Sequence, residues 1–121
     1  MVELQLEKVV EDNRGKILFL SYGNQSLNFV EIKKGYARGG HYHPYEQDHI
    51  FISGKIEYRE EDVLTGQEQK RIVNCPVTIL VPKNTAHLFI ALEDTIFLEA
   101  YGHQYKATNY AKYRKLVKEL M

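Results

Sequence analysis

An all-β fold, a sandwich or closed barrel finished by one short C-terminal helix, is predicted by two features of the sequence. The apolar segments are short, rich in β-branched and aromatic residues, and separated by Gly, Asn, Pro and Asp, which is the punctuation of strands and turns. The last segment, residues 107–121, abandons that pattern for apolar residues at steps of three and four, the period of an amphipathic helix.

Taken in order, strands are expected near 17–22 "ILFLSY", 27–33 "LNFVEIK", 36–43, 47–53 "QDHIFIS", 55–60 "KIEYRE", 68–73 "EQKRIV", 77–81 "VTILV", 86–91 and 95–101 "TIFLEAY". Many short strands at such spacing suit a sandwich or barrel, placed here at about residues 15–102 of a single domain spanning 1–121. "DNRGK" at 12–16 reads as a turn. In "ATNYAKYRKLVKELM" the stripe Tyr110, Tyr113, Val117 and Leu120 is expected to pack on the barrel or on a second subunit, with Thr108 or Asn109 capping the helix start.

A chain of 121 residues fits one compact core. Its 44% hydrophobic and 26% charged content is that of a globular protein. Sixteen basic and sixteen acidic residues cancel, so no net field draws it to nucleic acid or to anionic lipid. The opening "MVELQLEKVVEDNRGK" has acids from residue 3 and no long apolar run. Neither a secretory signal nor a membrane span is expected, and the cytoplasm is the expected compartment. A lone Cys75 cannot form an internal disulfide, which agrees with a reducing compartment. With no cation or histidine near it in sequence, its thiol is expected to be unreactive.

The stretch "GHYHPYEQDH", residues 40–49, concentrates three histidines, a glutamine and two acids. Side chains alternate along a strand, so His41 and His43 share a face, as do Gln47, His49 and Phe51; Asp48, Ile50 and Ile52 take the opposite one. Glu46 falls in the turn. His87 follows a Pro-containing turn in "VPKNTAHLF", at the start of a further apolar strand. Tyr42 and Tyr45 are expected either at the rim of a pocket or in packing. His103, in the turn "YGHQY", is left out of the pocket.

These residues resemble the cupin family, whose two motifs run roughly G-x5-H-x-H-x3,4-E-x6-G and G-x5-P-x-G-x2-H-x3-N. Gly35, His41, His43, Gln47 and Gly54 keep every spacing of the first, with glutamine in the glutamate place. Pro82 and His87 match the second, whereas Pro76, Asn84 and Ala91 stand where Gly, Gly and Asn belong. The resemblance implies a cupin-type jelly-roll barrel, a double-stranded β-helix, that assembles as a homodimer. It further implies one divalent metal, zinc, iron, nickel, manganese or copper, held by His41, His43, Gln47 and His87. Glutamine brings a carbonyl oxygen but no charge, so the metal is expected to be held less tightly and to be more electrophilic than in a carboxylate site; His49 is an alternative fourth ligand.

Three functions follow from that resemblance. In the first, the metal site binds or acts on a small oxygen-rich molecule, as a dioxygenase or isomerase if it is an enzyme, with His49 transferring protons. In the second, "DNRGKILFL", "ARGGHYH" and the glutamine resemble the metal-independent nucleotide-sugar ketoisomerases of this fold. His41 or His43 is then acid and base, and Arg38 reaches a diphosphate. Because Gly39–Gly40 is a place for a bulge, Arg38's direction does not follow from alternation. The third is a non-catalytic barrel that senses or stores a small ligand, or a subunit whose role is assembly, which a pocket blocked by Phe51, Phe89 and tyrosines would favour.

Overall fold

Alternation of side chains builds the barrel. In the computed structural model, which describes residues 1, 3–101 and 104–121, "QDHIFIS" forms the strand Gln47–Ser53 with Gln47, His49 and Phe51 buried and Asp48, Ile50 and Ile52 exposed. The strands in chain order are β1 Leu4–Asp12, β2 Gly15–Tyr22, β3 Gln25–Ile32, β4 Ala37–Tyr42, β5 Gln47–Ser53, β6 Lys55–Asp62, β7 Glu68–Asn74, β8 Val77–Val81, β9 Thr85–Ala91, β10 Thr95–Tyr101 and the two-residue β11 Thr108–Asn109, followed by helix α1, Ala111–Glu119. His103 lies outside the described residues.

A six-stranded sheet in the order β1-β2-β3-β10-β5-β8 faces a five-stranded sheet in the order β11-β4-β9-β6-β7. Every neighbouring pair is antiparallel. Both sheets turn apolar side chains inward, Val30, Phe51 and Phe97 from the larger and Ile56, Tyr58 and Phe89 from the smaller, giving one buried core between them. The architecture is the jelly-roll barrel with a short C-terminal helix.

Two features depart from the sequence expectation. β1 lies ahead of the expected barrel, pairs with β2, and is exposed along most of its length. With no buried face of its own, "LQLEKVVED" carries little strand signal. The helix begins at Ala111 instead of 107, and neither Thr108 nor Asn109 caps it, because both pair with Tyr42 and His41 of β4. Tyr110 takes the N-cap position without a side-chain cap.

Across the outer face of the large sheet, the paired residues Val9, Leu18, Phe29, Leu98 and Ile50 form a continuous apolar row. Val9 and Ile50 are 49% and 42% exposed. No helix among the described residues is long and apolar enough to cross a membrane.

Helix α1 packs on the outer face of the smaller sheet, where Tyr113 and Val117 are buried against Ala37, Ala86 and Leu88. Burying two such side chains stabilises the docked helix by roughly 1.5–3 kcal/mol each. Leu120, the last residue of the expected stripe, lies past the helix and is exposed. Polar bonds complete the docking. The Tyr113 phenol donates to Glu68 Oε2 at 2.7 Å, Lys112 Nζ to Glu61 Oε1 at 2.6 Å, and the Tyr110 phenol to Glu61 Oε2.

The Glu68 carboxyl is held below its ordinary value, chiefly by the Tyr113 hydrogen bond, which outweighs burial, and then by Lys112. A depressed carboxylate stabilises the fold fully above the unfolded value of 4.5, and that stabilisation is lost as pH falls through the lower folded value. Acid titration followed by melting temperature should therefore show a loss below about pH 4.5 that Glu68→Gln makes shallower. Tyr113→Phe should cost about 1–2 kcal/mol at neutral pH. An unchanged acid limb in Glu68→Gln contradicts this account.

Candidate metal centre

The site begins with a register change. Along β4 and β9, Ala37 pairs with Ile90, Arg38 with Phe89 and Gly39 with Leu88; then His41, not Gly40, pairs with His87. Gly40 is the extra residue of a β-bulge. Were Gly40 instead paired regularly with His87, His41 would stand opposite Ala86 and face outward with Ala37 and Gly39, because a one-residue slip exchanges the two faces of a strand. With it, Arg38 and His41 both turn inward although three residues apart.

Glycine is required at both positions. Gly39 has φ +107° and Gly40 φ +81°, values that L side chains rarely adopt. A Cβ on Gly39 would sit 2.7 Å from the His87 carbonyl oxygen, and one on Gly40 would sit 3.0 Å from the Arg114 backbone nitrogen. The bulge is therefore pressed between β9 on one side and α1 on the other.

His41 and His87 face each other with ring centroids 4.6 Å apart. His43, just past β4, lies 4.9 Å from His41 and 5.4 Å from His87. Its Nδ1 meets the Lys106 carbonyl at 2.6 Å, and its ring stacks on Tyr45 at 5.1 Å. The turn before β9 is tied to the same place, since Asn84 N donates to the His43 carbonyl at 2.8 Å. Asn84 has φ +55°, a left-handed conformation that asparagine tolerates where the cupin motif has glycine.

The three rings place a ligand atom each within 4.8 Å of one another. Burial, and then the neighbouring rings, pushes His87 well below the usual imidazole value; burial and His43 bring His41 down to about 4. Both are neutral at pH 7, the state that offers a lone pair to a cation. His87 Nδ1 is buried without a hydrogen-bond partner among the described residues. Neutral, convergent and partly unsatisfied, this donor set fits a divalent metal.

Gln47 is buried on the inner face of β5, with Nε2 3.2 Å from the Asp48 carbonyl and 3.3 Å from the Ala100 carbonyl. Those contacts leave Oε1 as its one donor atom for a cation. They also account for an amide here, because a carboxylate would set its charge against two carbonyl oxygens. His49 lies beside the three-ring cluster, outside the group whose ligand atoms all fall within 4.8 Å of one another. It is 1% exposed, its ring 5.1 Å from that of His87, and its Nε2 lies 3.3 Å from Glu99 Oε2.

Glu99 is the site residue that sequence reasoning missed. It occupies an inward position of β10 and accepts from Asn28 Nδ2 at 3.0 Å. Burial raises its pKa, but the hydrogen bond and charge of His49, with Asn28, leave it below the ordinary value and ionised. The one available signal was a glutamate in phase with Thr95 and Phe97 in an otherwise apolar strand.

Other expectations resolve simply. Glu46 and Asp48 are exposed, and Tyr45 flanks His43 while Tyr42 packs edge-on against Tyr110. Burial raises the half-buried Cys75 thiol, as does Glu93. Arg38 is buried, donating from Nε to the Glu31 carbonyl at 2.9 Å and from Nη2 to the Gly15 carbonyl at 3.0 Å. A cavity of about 360 Å³ reaches His41, His49, His87 and Glu99 between apolar walls that include Ile17 and Phe97. Phe51 lies in the core and is not among the cavity walls, whereas Phe89 is one of them.

Two antiparallel sheets, paired motif turns and a histidine cluster at the barrel's inner face define the cupin fold. Similar folds occur in the capsular polysaccharide assembling protein CapF of Staphylococcus aureus (16% identity, TM-score 0.73, 85% of this chain and 32% of that one), and in the oxalate decarboxylase of Lactobacillus farciminis in its formate complex (22%, 0.72, 90% and 35%). A third is the oxalate decarboxylase of Bacillus subtilis, a protein with Mn(II) centres (19%, 0.72, 85% and 30%). The chain spans about a third of the length of these structures. No family model matches the sequence, and no curated protein matches it.

Gly39→Ala should cost about 1–3 kcal/mol from backbone conformation alone, plus the clash with β9. Thermal melting checks the cost, and imidazole NMR shifts check that His41 leaves its place opposite His87. A variant that melts like the parent would show that the bulge does not depend on glycine.

Proposed function

We propose that this chain is a metal-binding cupin that takes a small oxygen-rich molecule into its barrel. The observation that carries the proposal is the meeting of three imidazoles, at least two of them held neutral, from β4, the turn after it and β9. His41, His43 and His87 would hold one divalent ion, with Gln47 Oε1 as a neutral oxygen donor. The Mn(II) centres of the Bacillus oxalate decarboxylase support a metal in such a barrel. When bound, the ion would supply a Lewis acid that polarises a carbonyl or enolate oxygen of the ligand.

The chain's own residues do the rest. His49, at the cavity wall beside His87, is placed to accept or donate a proton, and the Glu99 carboxylate fixes its ring. The apolar walls keep the reacting end of the ligand away from bulk water. This reading takes the chain as one cytoplasmic domain acting as a homodimer. The apolar row across the outer sheet face supports the dimer, since uncovered apolar patches mark contact surfaces.

A second reading rests on Gln47 and the His49–Glu99 pair, an acid/base couple complete without a metal. In it the barrel isomerises a nucleotide-linked keto sugar. The similarity to a capsular polysaccharide assembling protein favours sugar chemistry of this kind.

Metal analysis of untagged protein purified without added metal separates the two. The first reading expects close to one divalent ion per chain, abolished in His43→Ala and sharply reduced in His41→Ala. A metal-free parent that turns over a nucleotide-linked 4-keto sugar overturns it in favour of the second.

A further inference from the structure

The three rings of the cluster are not positioned by the same means. His41 and His87 stand opposite each other on β4 and β9, so the pairing of the strands itself aims them. His43 follows the end of β4 at Tyr42 and lies outside the strand. Its carbonyl accepts from Asn84 N at 2.8 Å, but a backbone bond does not by itself set the rotation of an imidazole. The ring is held from elsewhere. Its Nδ1 meets the Lys106 carbonyl at 2.6 Å, its face stacks on Tyr45 at 5.1 Å with the planes 13° apart, and Tyr105 meets it edge-on at 5.3 Å.

A carbonyl oxygen has no proton to give, so the contact requires Nδ1 to carry the hydrogen. In the neutral ring the lone pair then lies on Nε2. That choice of tautomer matters for a cation. With Nδ1 engaged by Lys106, Nε2 is the atom His43 contributes to a cluster whose donor atoms all lie within 4.8 Å of one another. Lys106 is itself placed from two directions. Just downstream, Thr108 and Asn109 pair with Tyr42 and His41 of β4, and the Lys106 amide donates to the Tyr45 hydroxyl at 3.2 Å. Tyr45 thus touches the imidazole with its ring and the residue that supplies the imidazole's acceptor with its hydroxyl.

We propose that Tyr45 is a positioning residue for His43, holding the Lys106 carbonyl where it fixes the Nδ1–H tautomer and directs Nε2 at His41 and His87. The consequence for a bound ion rests on the metal reading of the same three histidines. The strand pair β4–β9 presents two rings, and the C-terminal segment, steered by Tyr45, presents the third. Partners that fix the rotation and tautomer of a ligating histidine commonly contribute roughly tenfold to a hundredfold in metal affinity. A ring restrained in advance also loses less rotational freedom when it takes a cation. A tyrosine that merely filled the rim would need only its ring; the hydroxyl bond to the amide of Lys106, whose carbonyl holds the histidine, separates the two roles.

The test uses the full chain, isotope-labelled and chelator-stripped, with zinc(II) as the probe ion. Under mildly alkaline conditions, nitrogen NMR of the imidazoles should show His43 protonated at Nδ1, and added zinc(II) should perturb its Nε2. Tyr45→Phe keeps the stack and removes the hydroxyl. It should leave the melting temperature near the parent's, admit the Nε2–H tautomer of His43, leave the His41 resonances in place, and weaken zinc(II) roughly tenfold in competition with a chromophoric chelator. Tyr45→Leu, which loses the stack as well, should weaken it by roughly a hundredfold. Nε2–H or a mixture at His43 in the parent overturns the proposal, as does a Tyr45→Phe variant identical to the parent in tautomer. A fall in zinc(II) affinity that comes with a lower melting temperature and an unchanged His43 tautomer assigns Tyr45 to packing and overturns it too. A parent that takes up no zinc(II), but whose His43 changes tautomer in Tyr45→Phe, removes the metal reading and keeps the positioning role. A parent that binds zinc(II) with His43 indifferent to Tyr45 does the reverse.

Discussion

A single inserted residue at Gly40 governs which side chains enter the barrel. On an unbroken β4, Arg38 would be followed inward by Gly40, and His41 would point at helix α1 instead of His87. The bulge trades one backbone pairing for the inward placement of His41. Its geometry tolerates only glycine, because β9 presses on one residue and α1 on the other. Helix docking, bulge and histidine cluster are therefore one packing solution, and none can shift without moving the others.

The electrostatics of the interior follow from that arrangement. His41 and His87 are crowded together away from water, and burial reinforced by their neighbours keeps them uncharged. Glu99, about as deep, remains an anion because His49 and Asn28 bond its oxygens. Gln47 completes the pattern from the other side, with an amide where the surrounding carbonyls disfavour a carboxylate. Neutral donors at one wall and an ionised acid beside a histidine at the next give the cavity a graded polarity.

Much of this was legible in the sequence, and the remainder has identifiable causes. Period-two alternation placed Gln47, His49 and Phe51 on one face, because β5 is an unbroken strand with one wet side. Motif spacing brought His41, His43 and His87 together, although the physical agent, the bulge, was visible only as a pair of glycines. β1 escaped notice because an exposed edge strand leaves no burial pattern. Glu99 escaped because an isolated acid in an apolar strand looks like a solvated one, and its partners Asn28 and His49 lie far away in the chain.

The C-terminal segment has a practical bearing on how the protein is handled. The Lys106 carbonyl steadies His43, Asn109 pairs beside His41, and Tyr113 with Arg114 covers Gly40. Cutting the chain back past Lys106 to obtain a tidier barrel would loosen two of the clustered rings at once, because all of these contacts come from residues 106–114. Strand β1 carries no such duty: it is an exposed edge, paired with β2 and far less committed to the interior.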